Sequence, residues 1–178
     1  MNYRRLGRTE LMVSEIGLGA EWLERHNEEE CREIIETCAE NGINILDCWM
    51  PEPNVRTNIG KAIRGSRERL GSTWQGGQYV RSRELPEVKA AFEDLLTRLQ
   101  TDYVDLGMIH YVDSVKEYEE IMQGDFLRYV LEQKESGRIR HIGMSTHNPE
   151  TAKRAAESGI VEMLLFSINP AFDMLPAT

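Results

Sequence analysis

Ile139-Arg140-His141-Ile142-Gly143-Met144, then Asn148-Pro149 and Gly159, then Val161-Glu162-Met163-Leu164-Leu165-Phe166-Ser167-Ile168, is the stretch that decides the fold. Two short apolar runs bracket a segment with the chemistry of a helix. Asn148 can cap its start, Pro149 suits its first position, and Gly159 supplies its end. Strand, helix and strand in this order require a crossover connection, which makes the two strands parallel.

Working toward the amino terminus, the unit repeats. Tyr103-Val104-Asp105-Leu106-Gly107-Met108-Ile109-His110 reads as a strand, followed by helical material from Val115 to Gln133 and a stop at Gly137. Leu85 to Gln100 carries Val88, Phe92, Leu95, Leu96 and Leu99 on one helical face. Ile43-Asn44-Ile45-Leu46-Asp47 is a further strand, and Val55, Ile59, Ala62 and Ile63 mark the stripe of the helix after it. Asn27 with Glu30 forms the signature of a capping box, ahead of Cys31, Ile34, Ile35 and Cys38 at helical spacing. Ile16-Gly17-Leu18-Gly19 reads as the first strand, preceded by a hairpin from Tyr3 through Gly7 to Val13. Between Gly65 and Glu84 no apolar run occurs, and the segment reads as a loop where a strand is due.

Composition bounds the rest. A chain of 178 residues is expected to form one domain, residues 1–178. Twenty-one basic against thirty acidic side chains give a net charge of −9, which disfavours nucleic acid and anionic membrane surfaces as partners. The sequence holds no apolar run long enough to span a bilayer and no secretory leader, so a cytoplasmic location is expected. Cys31, Cys38 and Cys48 have no metal or disulfide spacing. Asp47, Cys48, His110, Asp113 and His147 offer mixed ligands, but no spacing unites them, and no metal site is expected.

Tyr3-Arg4-Arg5-Leu6-Gly7-Arg8-Thr9, Val13-Ser14-Glu15-Ile16-Gly17-Leu18-Gly19, Gly42-Ile43-Asn44-Ile45-Leu46-Asp47 and Gly137-Arg138-Ile139-Arg140-His141-Ile142-Gly143-Met144-Ser145 together resemble the aldo-keto reductases, in the family's order. Ile109-His110-Tyr111-Val112-Asp113 and Ser145-Thr146-His147-Asn148-Pro149 are further similar to a divergent bacterial branch related to iron–sulfur-containing members. The chain has no cysteine-rich segment for such a cluster. The resemblance implies an α/β fold of the (β/α)8 TIM-barrel type. Such barrels typically need about 250 residues, so an incomplete, C-terminally truncated barrel of five to six parallel strands is expected.

The resemblance also implies NADPH-dependent reduction of a small carbonyl substrate, with Asp47 and His110 matching two catalytic residues of the family. Asp47, His110, Ser145 and Thr146 are then expected cofactor contacts, and Gly19 and Ala20 after the first strand join them because a glycine there allows close backbone approach. Two expected partners are missing. Glu52 stands at the place of the family's proton-donating tyrosine, and the lysine falls either in the missing strand or on Gln75. Thr146 replaces an asparagine and Leu165 a glutamine. Loss of a general acid typically costs about 10²–10⁴-fold in rate, so impaired turnover is expected. The alternatives are a cofactor-binding pseudoenzyme and a non-catalytic barrel fragment that self-associates through open sheet edges. Each residue also has a plainer role: Asp47 as a loop cap or ion-pair partner, His110 as an interior histidine, Ser145 and Thr146 as the start of the turn before Asn148.

Overall fold

In the computed structural model, residues 1–48, 52–64, 73–76 and 82–168 are described, with backbone alone for 73–76. Met50-Pro51 of the segment before Glu52, and the tail with Asn169-Pro170, lie outside them.

The chain opens with an antiparallel hairpin, β1 (Tyr3–Arg5) and β2 (Met12–Ser14). A short strand follows, β3 (Leu18–Gly19), and then a 3₁₀ turn over Ala20–Arg25. α1 (Glu28–Glu40) begins with the expected capping box: the Glu30 N–H donates to the Asn27 side chain, and the Asn27 N–H donates to the Glu30 carboxylate, both at 3.0 Å. β4 (Ile45–Asp47) and α2 (Pro53–Ala62) come next, then β5 (Thr73–Gly76). α3 (Leu85–Leu99) ends where Gln100 turns left-handed, φ 54°.

β6 (Val104–Ile109) leads into α4 (Val115–Gln123) and α5 (Asp125–Glu135). The helical material expected from Val115 to Gln133 is thus divided at Gly124 into two helices. A Cβ there would sit 2.8 Å from the Glu120 carbonyl oxygen, so the chain turns at the residue that lacks one. β7 (Ile139–Ser145), α6 (Pro149–Glu157) and β8 (Met163–Leu165) complete the described elements, with Asn148 capping α6 by accepting the Thr151 N–H at 3.0 Å.

β3 to β8 form one six-stranded parallel sheet in chain order. This is the β/α succession of a TIM barrel, incomplete over the described residues. The loop expected between Gly65 and Glu84 is corrected at its centre, because Thr73–Gly76 is a strand, paired to β4 on one side and β6 on the other. Its four residues hold no apolar run, and the two flanking ladders supply what propensity does not.

Alternation along β6 divides the core. Ile109 joins the large cluster under the helices, with Ile35, Ile59, Leu99 and Ile142. Leu106 and Met108 point the other way, packing with Met163 and with Leu6 and Leu11 of the hairpin. The hairpin therefore covers the amino-terminal end of the sheet. It is tied there by Arg8, whose guanidinium donates to the Val161 carbonyl at 2.7 Å, and by Glu10 near His141 Nε2 at 3.4 Å.

Glu162 is the hub of this closed end. Its carboxylate receives the Lys134 ammonium, the His141 ring at 3.0 Å and the Ile142 N–H at 3.0 Å. Burial pushes the Glu162 carboxyl up, but those hydrogen bonds and the lysine charge outweigh it and hold it below the ordinary carboxylate range. A carboxyl lowered by folding stabilises the native state above its unfolded pKa of about 4.3, and that contribution is lost as pH falls through the folded value. Glu162→Gln should therefore cost about 2 kcal/mol at neutral pH, the range for hydrogen bonds to charged groups. In urea unfolding the gap to wild type narrows as pH drops below about 4. An equal gap at neutral and acid pH would contradict this account.

Candidate active site

With the hairpin under one end, the carboxyl ends of the strands form the other, where the loops of a β/α barrel build their sites. Asp47 is the last residue of β4, and His110 directly follows β6. Both stand at this end, with β5 between their strands. Gly19, at the end of β3, is the register partner of Asp47, and Asp47 is in turn the partner of Gln75. Gln75 is thus the residue in register beside the aspartate.

His110 is held tightly. Its Nδ1 lies 3.0 Å from Ser145 Oγ, and its carbonyl accepts from the Arg83 guanidinium at 2.7 Å. Arg83 is anchored in turn by Glu117 at 2.9 Å and lies over the Phe126 ring. Beyond His110 the chain bends sharply: Tyr111 is left-handed, φ 58°, its N–H donates to Ser145 Oγ at 2.7 Å, and the Val112 N–H donates to the Ser145 carbonyl at 2.9 Å. A left-handed conformation at a residue with a Cβ costs about 1–3 kcal/mol and persists where its surroundings enforce it. The three bonds onto Ser145 are that enforcement.

Tyr111 lays its ring between His110 and His147, at centroid distances of 5.9 and 5.0 Å. His147 is paired through Nδ1 with Asp113 at 3.0 Å and donates its backbone N–H to the same carboxylate at 2.8 Å. Burial raises the Asp113 carboxyl, but the His147 N–H, the His147 ring and the Thr146 hydroxyl more than offset this and hold it below its ordinary range.

The other expected contacts are placed as follows. Ala20 is fully buried in the core, a packing position. Gly19 is open: a Cβ added to it would meet nothing within 4 Å, so a ligand can approach its backbone closely. The Thr146 hydroxyl accepts the Asn148 N–H at 3.0 Å, and the Thr146 N–H donates to Leu165 at 3.2 Å, so Thr146 serves the turn before α6. Leu165, the register partner of Ser145, has no side-chain hydrogen-bonding group to offer an amide. Glu52 caps α2 by accepting the Asn54 N–H at 3.0 Å. The rim is therefore open at Gly19, while Thr146 and Leu165 offer it little amide-binding chemistry. Among the described residues no group of three or more His, Cys, Asp or Glu is arranged to hold a metal ion.

Sequence reasoning missed Arg83 and Tyr111. A lone arginine ahead of a helix has no signature, and the left-handed turn at Tyr111 leaves none without a glycine or asparagine to mark it.

Comparison with known proteins agrees with this fold. Residues 15–175 match the family model described as the aldo/keto reductase family. An uncharacterized oxidoreductase of Bacillus subtilis, YqkF, is 30% identical over 99% of the chain, which spans 58% of that protein. Among solved structures, the holo form of the aldo-keto reductase AKR11C1 from Bacillus halodurans superposes with a TM-score of 0.76 at 27% identity, over 94% of this chain and 58% of that one. A Klebsiella pneumoniae aldo/keto reductase in complex with NADP and acetate shares the fold, with a TM-score of 0.68 at 22% identity over 85% of this chain and 52% of its own. The chain thus spans a little over half the length of these relatives.

Proposed function

The chain belongs to the aldo/keto reductase family, and from that premise we propose that its open rim takes NADPH and a small carbonyl compound and reduces it slowly. The observation that carries this reading is the gathering of Gly19, Asp47 and His110 at the carboxyl end of one parallel sheet, opposite the hairpin. The NADP bound to the Klebsiella pneumoniae relative supports the choice of cofactor. Bound NADPH would supply the hydride. The chain's own work is to orient the carbonyl through His110 and to keep a negative charge at Asp47 beside the reacting atoms. The slowness follows from Glu52 and Gln75, which provide neither a phenol nor a cation.

A second reading rests on a separate observation. Among the described residues the sheet ends at β3 and β8, and at the β8 edge Leu165 is 43% and, just past it, Ile168 85% exposed. Paired copies of the chain would cover that surface and satisfy the edge hydrogen bonds. One experiment separates the two. NADPH titrated against tryptophan fluorescence, with Trp22 just past Gly19, should quench saturably, with weak aldehyde turnover lost in Asp47→Asn. Absence of quenching at millimolar NADPH, with a dimer in sedimentation, would replace the reductase reading with the second.

A further inference from the structure

The family resemblance gives the Ser145 hydroxyl a cofactor amide to hold; its surroundings give it another task. Ser145 is only 5% exposed, and among the described residues its Oγ has two polar neighbours, the Tyr111 N–H at 2.7 Å and His110 Nδ1 at 3.0 Å. A serine hydroxyl gives one hydrogen and accepts through its lone pairs. The Tyr111 amide can only donate. The serine's own hydrogen therefore has Nδ1 as its acceptor. Were the proton on Nδ1 instead, two donors would face one oxygen, and the buried hydroxyl hydrogen would lose its partner.

We propose that Ser145 is a positioning residue that fixes His110 in the tautomer with its proton on Nε2. The surrounding bonds suit such a part. The Val112 N–H on the Ser145 carbonyl and the Arg83 guanidinium on the His110 carbonyl hold the two residues in register, so the hydroxyl and the ring nitrogen meet without freedom to drift. A histidine fixed in this way offers a hydrogen-bond donor, not a lone pair, to a carbonyl oxygen that gains charge as it is reduced. That last step rests on the reductase reading. The tautomer does not, and it is read without cofactor or substrate.

The test is long-range proton–nitrogen NMR on the 178-residue chain labelled at its histidine ring nitrogens, at about pH 8.5, above the ordinary histidine range. The His110 signals are identified by their loss in His110→Gln. In wild type, Nε2 carries the proton, and Nδ1 shows the upfield shift of a nitrogen that accepts a hydrogen bond. In Ser145→Ala that shift is lost and the minor tautomer grows about tenfold, while Ser145→Thr keeps the wild-type pattern. A proton on Nδ1 in the wild type overturns the proposal, whether or not the alanine variant folds; so does an Nδ1 shift identical in wild type and Ser145→Ala. Where turnover is measurable, Ser145→Ala lowers kcat with little change in the KM for NADPH. A raised KM alone would return Ser145 to the cofactor and overturn the assignment.

Discussion

Glu52→Tyr combined with Gln75→Lys raises the rate of aldehyde reduction about 10²-fold over the wild-type chain, the low end of what a positioned general acid contributes. Gln75 is the register partner of Asp47 on the adjoining strand, and neighbouring strands lie about 4.8 Å apart, so an ammonium placed there stands beside the aspartate. A phenol at 52, five residues beyond Asp47, is expected to meet that cation and anion, an environment that lowers its pKa and readies it to give up a proton. The substitution at 52 removes the α2 cap to Asn54, a loss of about 1 kcal/mol that the fold should tolerate. Glu52→Tyr alone gains less, because nothing then lowers the phenol. Single-turnover rates at saturating NADPH provide the check. No acceleration in a double variant that still binds NADPH would mean that the rim does not bring position 52 to the substrate.

The parts of the fold legible in the sequence were those whose signal is local. Asn27 with Glu30, and Asn148 with Pro149, announce helix starts by side-chain chemistry that acts within one turn, and both caps form as read. β6 and β7 were legible because they are buried, β6 throughout and β7 at every position but Arg140, and so are rich in apolar residues. β5 was not, because Thr73-Trp74-Gln75-Gly76 has no pattern of its own and exists through its ladders to β4 and β6. The same distinction explains Gly124: its glycine was visible, but the close approach of the Glu120 carbonyl that makes it a break was not.

For the site, the resemblance supplied residue types and the sheet supplied their neighbours. That Asp47 and His110 share one end follows from each closing a parallel strand, which could be read in advance. That Ser145 faces His110 could not, because it depends on the register Met108 to Gly143, which carries the next inward residues of both strands into contact. Thr146 shows the opposite case: the plain turn chemistry of a threonine two residues before Asn148 is the role the structure gives it. The sequence offered both hydroxyls as cofactor contacts or as the start of a turn, and tertiary pairing gives them different partners.

Gly60→Ala is expected to destabilise the chain by about 3 kcal/mol, the upper part of the range for overpacking a core, and to lower Tm by about 10 °C for a domain of this size. Gly60 lies where α2 crosses α3. A Cβ there would press into the Arg98 carbonyl oxygen and come 2.8 Å from both the Leu99 Cα and its carbonyl carbon. These are backbone atoms of a helix end, not the tip of a side chain that can swing aside. Alanine brings back about 1 kcal/mol of helix propensity, but relieving the clash requires the two helices to part. Parting them opens the packing of Ile59 and Leu99, both essentially fully buried, and stretches the 3.2 Å bond from Arg98 to Thr57. Because α2 begins at Pro53, capped by Glu52 five residues after Asp47, its displacement should also weaken NADPH binding without touching a rim residue. Calorimetry and the fluorescence titration on the same sample test both effects. An unchanged or raised Tm would show that the α2–α3 contact is loose enough to admit a methyl group.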